Sequence, residues 1–357
     1  MSSTWGEKVK ISIFGESHGE AIGVTIDGLP AGERINLYEL RMQVARRAPG
    51  GVIGSTPRSE ADNFKILSGM LDDVTTGAPI CCVIENHNTR SGDYSGLMTT
   101  PRPSHADYTA FVHYEGHNDI RGGGHFSGRL TAPLTIAGAF CRQILSNNGI
   151  DIGAHIYSIG EVRDTPFDME NVDKEQLKDL NTEKFCVIDD EAREIMQAEI
   201  TKAREEGDSI GGIIECAAVG LPVGMGEPMF GGVESRIASI LYGIPAVKGV
   251  EFGAGFEISK MRGSKANDTM YYDDGKVRTR YNNNGGILGG ITNGMPLILR
   301  VAIKPTPSIA KEQDTVDLQT KENVRLSIKG RHDSCIAVRA VPVVESAVAV
   351  ALLDMLL

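Results

Sequence analysis

Two pairs of matching segments constrain this chain more than any single residue does. Gly28-Leu-Pro-Ala-Gly32 returns as Gly220-Leu-Pro-Val-Gly224, and Thr75-Thr-Gly-Ala-Pro79-Ile returns as Thr292-Asn-Gly-Met-Pro296-Leu, in the same order. Each Gly-Leu-Pro turn follows an apolar run, and each Thr-x-Gly-x-Pro opens another. Turn chemistry favours Gly and Pro everywhere, so either match alone carries little. Two in register predict a pseudo-two-fold pair of α/β halves at about 9–150 and 210–345, with a helical insertion at about 169–207, inside one domain spanning 1–357. A site between such halves draws on residues distant in sequence.

Apolar, β-branched runs predict strands at Val9–Phe14, Ile22–Ile26, Ile80–Ile84, Ile213–Val219, Leu297–Ile303 and Cys335–Val341. Helical spacing of Leu130, Leu134, Ala137, Phe140, Ile144 and Leu145 predicts a helix over Gly128–Ser146, stopped by Asn147-Asn148-Gly149. Asp190–Glu206 reads as an amphipathic surface helix and Val343–Leu357 as a mostly buried one.

The formal charge of -11 argues against a broad basic surface for nucleic acid or anionic membrane, while leaving room for a small cationic pocket. Six cysteines without a C-x-x-C pair fit reduced thiols, and the N-terminus has no signal-peptide pattern. The apolar stretch at Ala347–Leu357 is broken by Asp354 and is too short to span a bilayer. These features predict a soluble cytoplasmic protein. Neither a P-loop nor a dinucleotide-binding glycine motif occurs, and H-E-x-x-H and G-x-S-x-G are absent.

Six segments carry chemistry-bearing residues. Phe14-Gly-Glu-Ser-His-Gly19 follows a strand, so His18 is either a proton donor to a leaving anion or a turn imidazole satisfying carbonyls. Arg46, Arg47 and Arg58 flank a Pro-Gly-Gly turn and suit carboxylate or phosphate oxygens, although paired arginines are commonly a solvated face. In Pro101-Arg-Pro-Ser-His105-Ala-Asp107, His105 transfers protons or Asp107 caps the following turn. Arg121-Gly-Gly-Gly-His125-Phe126-Ser127-Gly-Arg129 runs into a predicted helix, the pattern of an anion site at a helix start. Lys304-Pro-Thr306-Pro307-Ser308 and Gly330-Arg331-His-Asp333-Ser add cations and hydroxyls beside predicted strands. Clustering of His105, His113, His117 and His125 around a metal is the weaker idea, because Gly116 interrupts the pair and no third ligand follows; no metal is expected.

In this order, FGESHG, Arg-Arg-x-Pro-Gly, Arg58-x-Glu-x-Asp62, ILSGMLDDVTTGAPI, PRPSHADYT, RGGGHFSGRLTA, AVKGVEFG, NNNGGILGGITNGMP, KPTPS and GRHDSCIAVRAVP resemble the chorismate synthase family over essentially the whole chain. The resemblance implies a β-α-β sandwich, an α/β (α+β) fold with internal duplication, assembled as a homotetramer. It implies a lyase that converts 5-enolpyruvylshikimate 3-phosphate to chorismate and phosphate, the last shikimate-pathway step towards aromatic amino acids, with reduced FMN. NADPH enters only indirectly, as a source of reduced flavin through an external reductase or reductant.

By the same resemblance, His18 protonates the departing phosphate and Ser17 contacts substrate. His105 protonates the reduced flavin, and Asp333 works with it in removing the ring proton. Arg47, Arg129 and Arg331 hold substrate anions or flavin, with Arg46 and Arg58 as further candidates. Flavin contacts map to Ser127, Ala246, Gly289, Lys304, Thr306 and Ser308, with His125, Phe126 and Pro307 standing at positions where many members carry Arg, Ser and Ser. Pro245 replaces a frequent Asn, and Val52 or Ile53 a frequent Arg. The glycine content, 42 of 357 residues against an average of roughly 7%, then reads as backbone kept bare beside ligands. Two rival classes are a metal-dependent phosphatase using the histidines and a non-catalytic binder of flavin or phospho-ligands.

Overall fold

A computed structural model describes residues 3–56, 62–86, 99–328 and 332–357. One antiparallel sheet holds β1 (Thr4–Trp5), β2 (Lys10–Gly15), β3 (Ala21–Asp27), β4 (Phe64–Ser68) and, after the ribbon of β5 (Met70–Leu71) and β6 (Val74–Thr75), β7 (Ile80–Glu85), in the order β1-β2-β3-β7-β4. The other holds β8 (Asp151–Ile159), β9 (Val162–Arg163), β10 (Gly212–Val219), β11 (Val247–Phe252) and β16 (Leu297–Ile303), in the order β11-β16-β10-β8-β9. Three more ribbons pair β12 (Met270–Asp273) with β13 (Lys276–Thr279), β14 (Ile287–Leu288) with β15 (Ile291–Thr292), and β17 (Gln313–Asp317) with β18 (Glu322–Leu326).

Between the sheets lie α3 (Thr131–Asn147) and α8 (Ala337–Leu356). α3 packs on β3 and β7, α8 packs on β8 and β10, and the two helices pack on each other, giving β-α-β layering. α1 (Leu37–Arg47) and α6 (Val233–Leu241) flank this pair. Outside it lie α2 (Asp107–His113), α4 (Lys174–Leu180), α5 (Asp190–Glu205) and the short α7 (Gly263–Ala266). The crossing of α3 over α8 depends on Gly138, where an added Cβ would lie 2.1 Å from the Ser346 Cβ. Val344, Val348 and Leu352 of α8 are fully buried, each removing apolar surface worth about 1.5–3 kcal/mol.

The recurring turns are built alike. Gly32 N–H donates to Thr75 O at 2.8 Å and Gly224 N–H to Thr292 O at 2.9 Å. Thr75 Oγ1 donates to Pro30 O and Thr292 Oγ1 to Pro222 O, both at 2.6 Å. The strand sequence β2-β3-β7-β4 in one sheet has its counterpart in β8-β10-β16-β11 in the other.

Five of the six predicted strands coincide with β2, β3, β7, β10 and β16; Cys335–Val341 does not. That segment enters α8, which carries Pro342 inside it. Its β-branched residues favour a strand locally, but a mostly buried segment that lies between two sheets, with no strand partner among the described residues, has its backbone satisfied by a helix. All six cysteines are free thiols. No helix among the described residues is long and apolar enough to cross a membrane.

Candidate active site

Where β2 ends, the chain turns at Gly15 and delivers Ser17 and His18 to the mouth of a cavity of about 830 Å³. Gly122 makes that placement possible. Its φ is +62°, and a Cβ there would lie 2.7 Å from His18 Cε1 and 2.8 Å from Ser17 Oγ. Gly123, at φ +88°, lies against the second histidine, with a Cβ position 3.2 Å from His105 Cε1 and 3.3 Å from Nε2. The glycine triplet thus lets two imidazoles approach one stretch of backbone, which no side-chain-bearing residue would permit.

Cations converge on the same cavity. Arg47, Arg102, Arg129, Lys248, Lys304 and Arg339 line it, whereas Asp333 is the one carboxylate among its described lining residues. In a chain of net charge -11 this is a local inversion of sign, held where limited water access strengthens attraction for anions. Asp62 stands behind two of the cations, accepting from Arg47 Nη1 at 2.5 Å and from Arg129 Nη1. Burial acts to raise the Asp62 pKa, but Arg47 and Arg129 outweigh it and hold the carboxyl below its usual range. Burial, and then the neighbouring Lys248, lower the pKa of Lys304.

Asp333 lies just before α8. Its carboxylate accepts from the Thr56 N–H at 2.7 Å and from Arg339 Nη1 at 2.9 Å, so its direction is fixed. Ser127 accepts from the Arg129 N–H at 3.3 Å and caps a short 3-10 turn, Gly128–Leu130, that leads into α3. The capping role and the cavity-lining role therefore coexist. Ala246, also in the lining, has φ +76°, a strained conformation for a residue with a Cβ, and its carbonyl accepts from the Lys304 N–H at 3.0 Å. Thr306 Oγ1 is buried and has no hydrogen-bond partner within the protein, as a hydroxyl reserved for a ligand would be.

Of the residues singled out in the sequence, Ser17, His18, Arg47, His105, His125, Phe126, Ser127, Arg129, Ala246, Lys304, Thr306, Pro307, Ser308 and Asp333 line this one cavity. Arg46 does not. It turns into the core, where Glu345 accepts from Nη1 at 2.6 Å and from Nη2 at 3.1 Å, so it is a structural cation. Gly289 lies in the β14–β15 turn away from the cavity lining, as do the glycine pairs at 231/232, 253/255 and 285/286. Much of the glycine excess therefore serves turns and not ligand approach. His125 reaches the cavity, but its Nδ1 lies 2.8 Å from Gly15 O and its Nε2 2.7 Å from Ser3 Oγ, so both ring nitrogens fasten the N-terminal strands. Arg58 and Arg331 lie outside the described residues. Among the described residues, no group of three or more His, Cys, Asp or Glu is placed to hold a metal.

Arg102, Lys248, Arg339 and Trp5 line the cavity without having been singled out. Arg102 had a usable signal, a cation between two prolines just ahead of a His and an Asp; Lys248 and Arg339 lie within the motifs AVKGVEFG and GRHDSCIAVRAVP, but nothing local marked their side chains as cavity cations.

The fold and the cavity together define a layered α/β protein of the enzyme kind, with His18, His105 and the Asp333 carboxylate set among cations in a single pocket. A family model described as chorismate synthase matches residues 9–357. The chain is 47% identical over 358 residues to the chorismate synthase of Dehalococcoides mccartyi, covering 100% of this chain and 97% of that one. It is 48% identical over 352 residues to that of Thermococcus kodakarensis, covering 99% and 97%. A solved structure titled as a crystal structure of chorismate synthase superposes with a TM-score of 0.76 at 28% identity, covering 99% of this chain and 92% of that one. The chain belongs to the chorismate synthase family.

Proposed function

We propose that this protein is a lyase that eliminates phosphate from 5-enolpyruvylshikimate 3-phosphate to form chorismate, with reduced FMN as cofactor. The observation that carries the reading is the cavity with, among its described lining residues, six Lys or Arg side chains against one carboxylate, matched to a substrate with two carboxylates and a phosphate. In this 1,4 elimination a ring C–H proton leaves, its electron pair forms one new double bond, the existing ring double bond shifts one position, and the C–O bond to phosphate breaks with its electron pair leaving on the phosphate. His18 supplies the proton that neutralises the departing phosphate. Asp333, held by Thr56 and Arg339, takes up the ring proton. Arg47 and Arg129 neutralise substrate anions from positions fixed by Asp62.

The residues present suit a flavin phosphate: the unpartnered Thr306 Oγ1, Ser127 at its turn and Lys304 together offer donors for one. Reduced flavin, when bound, supplies electron density to the allylic system as phosphate departs. The family resemblance extends the proposal to a cytoplasmic homotetramer supplied with reduced flavin by an external reductase or reductant, NADPH serving only as an indirect source. Met229 at 82%, Phe230 at 91% and Phe256 at 82% exposed supply apolar surface for such an assembly. The test is phosphate release from the substrate with reduced FMN supplied. Turnover is expected only with the reduced cofactor, and to fall on the order of 10²-fold or more in His18→Ala and in Asp333→Asn. Full turnover in both variants would overturn the assignment.

A further inference from the structure

The segment Pro101-Arg-Pro-Ser-His105-Ala-Asp107 admits two roles for its carboxylate, and the geometry separates them. Asp107 is the first residue of α2, and no side chain caps that helix. Its oxygens are engaged elsewhere. Oδ2 accepts from Arg102 Nε at 2.7 Å and from the Arg102 N–H at 3.0 Å, and Oδ1 accepts from Arg102 Nη2 at 2.8 Å. His105 Nδ1 lies 2.6 Å from the same Oδ1.

We propose that Asp107 is a positioning residue for His105. Clamped by Arg102, it holds the imidazole as the Nδ1–H tautomer, so that Nε2 is the atom that exchanges protons inside the cavity. The inference rests on the proposed function for its chemical meaning, but its geometry stands alone.

The tautomer follows from which atoms can share a proton. Arg102 Nη2, which carries two protons, gives one to Asp107 Oδ1 at 2.8 Å and lies 3.1 Å from His105 Nδ1, but the Nδ1–Oδ1 contact, at 2.6 Å, is the shorter and decides the tautomer. Without a proton on Nδ1, a ring lone pair and a carboxylate oxygen would face each other at 2.6 Å, which is repulsive. A proton on Nδ1 turns that contact into a short charge-assisted hydrogen bond. Burial acts to raise the Asp107 pKa, yet Arg102 and His105 hold it well below the usual carboxylate range, so the acceptor remains ionised at neutral pH. The Nε2 edge is then the one against the bare backbone at Gly123. Arg102 Nη1 further donates to Ser308 Oγ at 3.3 Å, tying this assembly to the Lys304–Ser308 segment of the cavity lining.

The test pairs a spectroscopic and a kinetic readout on the full chain. In protein with 15N-labelled histidine, the His105 signals, assigned by their loss in His105→Gln, should show Nδ1 protonated and Nε2 bearing the lone pair above the imidazole titration. Asp107→Asn presents an amide that can donate to Nδ1, and should move the ring to the Nε2–H tautomer. With reduced FMN supplied, the same variant should lose kcat on the order of 10²-fold while KM changes by less than about threefold, because only the acid–base contribution is removed. Asp107→Glu should recover part of kcat. A wild-type ring already in the Nε2–H form, or an Asp107→Asn variant with unchanged tautomer and full kcat, would overturn the inference. If Asp107→Asn fails to fold, the wild-type spectrum decides alone. Wild-type protein that shows the Nδ1–H ring but releases no phosphate would refute the proposed function and leave the positioning intact.

Discussion

Arg46 and Arg47 are neighbours in the last turn of α1, and each meets a buried carboxylate. A step of about 100° around the helix sends the first into the core and the second to the cavity wall. Arg46 joins Arg142 at Glu345, which also accepts from Gln43 Nε2, and its remaining donors go to Leu180 O, Glu183 O, Asn181 Oδ1 and Cys186 Sγ. Arg47 joins Arg129 at Asp62, and both line the cavity. Among the described residues, two arginines thus meet around one carboxylate both in a closed cluster and in one bordering open volume. The closed cluster can contribute only to the fold, whereas the one at the wall sets the field a ligand meets.

The largest expected effect breaks the closed cluster. Glu345→Gln leaves Arg46 and Arg142 without their counter-charge, and should destabilise the protein by about 3–5 kcal/mol in urea unfolding. A loss below about 1 kcal/mol would mean the two clusters are equivalent. Next, Arg129→Ala should remove charge-assisted bonds of about 1.5–3 kcal/mol, seen as a rise in substrate KM of roughly 10- to 150-fold with a smaller change in unfolding. Substrate at 100 times its Kd should add about 2.7 kcal/mol to wild-type stability. Glu345→Gln should keep that increment and Arg129→Ala should lose most of it; the single tryptophan, Trp5 on the cavity wall, offers a fluorescence probe of the same binding.

The smallest effect is on acid stability. Burial opposes ionisation of both Asp62 and Glu345, but their arginines hold both below the ordinary values of 3.8 and 4.5. A depressed carboxylate contributes stability above its unfolded pKa, and that stability is lost as pH falls through the folded pKa. Unfolding free energy should therefore decline below about pH 4.5, and Glu345→Gln should flatten that slope. An unchanged slope would place the acid response elsewhere.

This contrast also marks where the sequence could be read. Runs with one buried face, such as Ile22–Ile26 and Leu297–Ile303, announce themselves because alternation and apolarity survive in any context. β8 does not, because its Gly153 and the buried His155 interrupt the apolar pattern. His155 is tolerated only through partners far along the chain: Nδ1 lies 2.8 Å from Asp164 Oδ2 and Nε2 3.0 Å from Glu215 Oε2. The N-terminal part of α8 was hidden for the opposite reason, since β-branched residues obscure a helix whose burial is decided by two sheets. In the site, motifs with glycine or histidine were legible. Which of two adjacent arginines faces the cavity was not, because that depends on Asp62 and Glu345, distant acids whose positions only the fold supplies. The Asp107 carboxylate was visible, but its choice between cap and clamp turned on the direction of one side chain.

The central position of α8 also bears on how the chain reaches this structure. Residues 337–356 supply the element that covers the inner face of β8 and β10 and packs against α1 and α3, all drawn from residues 37–219. These are contacts of very long sequence separation, which fold slowly because the loop-closure entropy is lost before they form. Until they do, the sheet of β8 and β10 presents a bare apolar face to solvent, and the interval before helix docking is when a nascent chain of this kind depends most on chaperones.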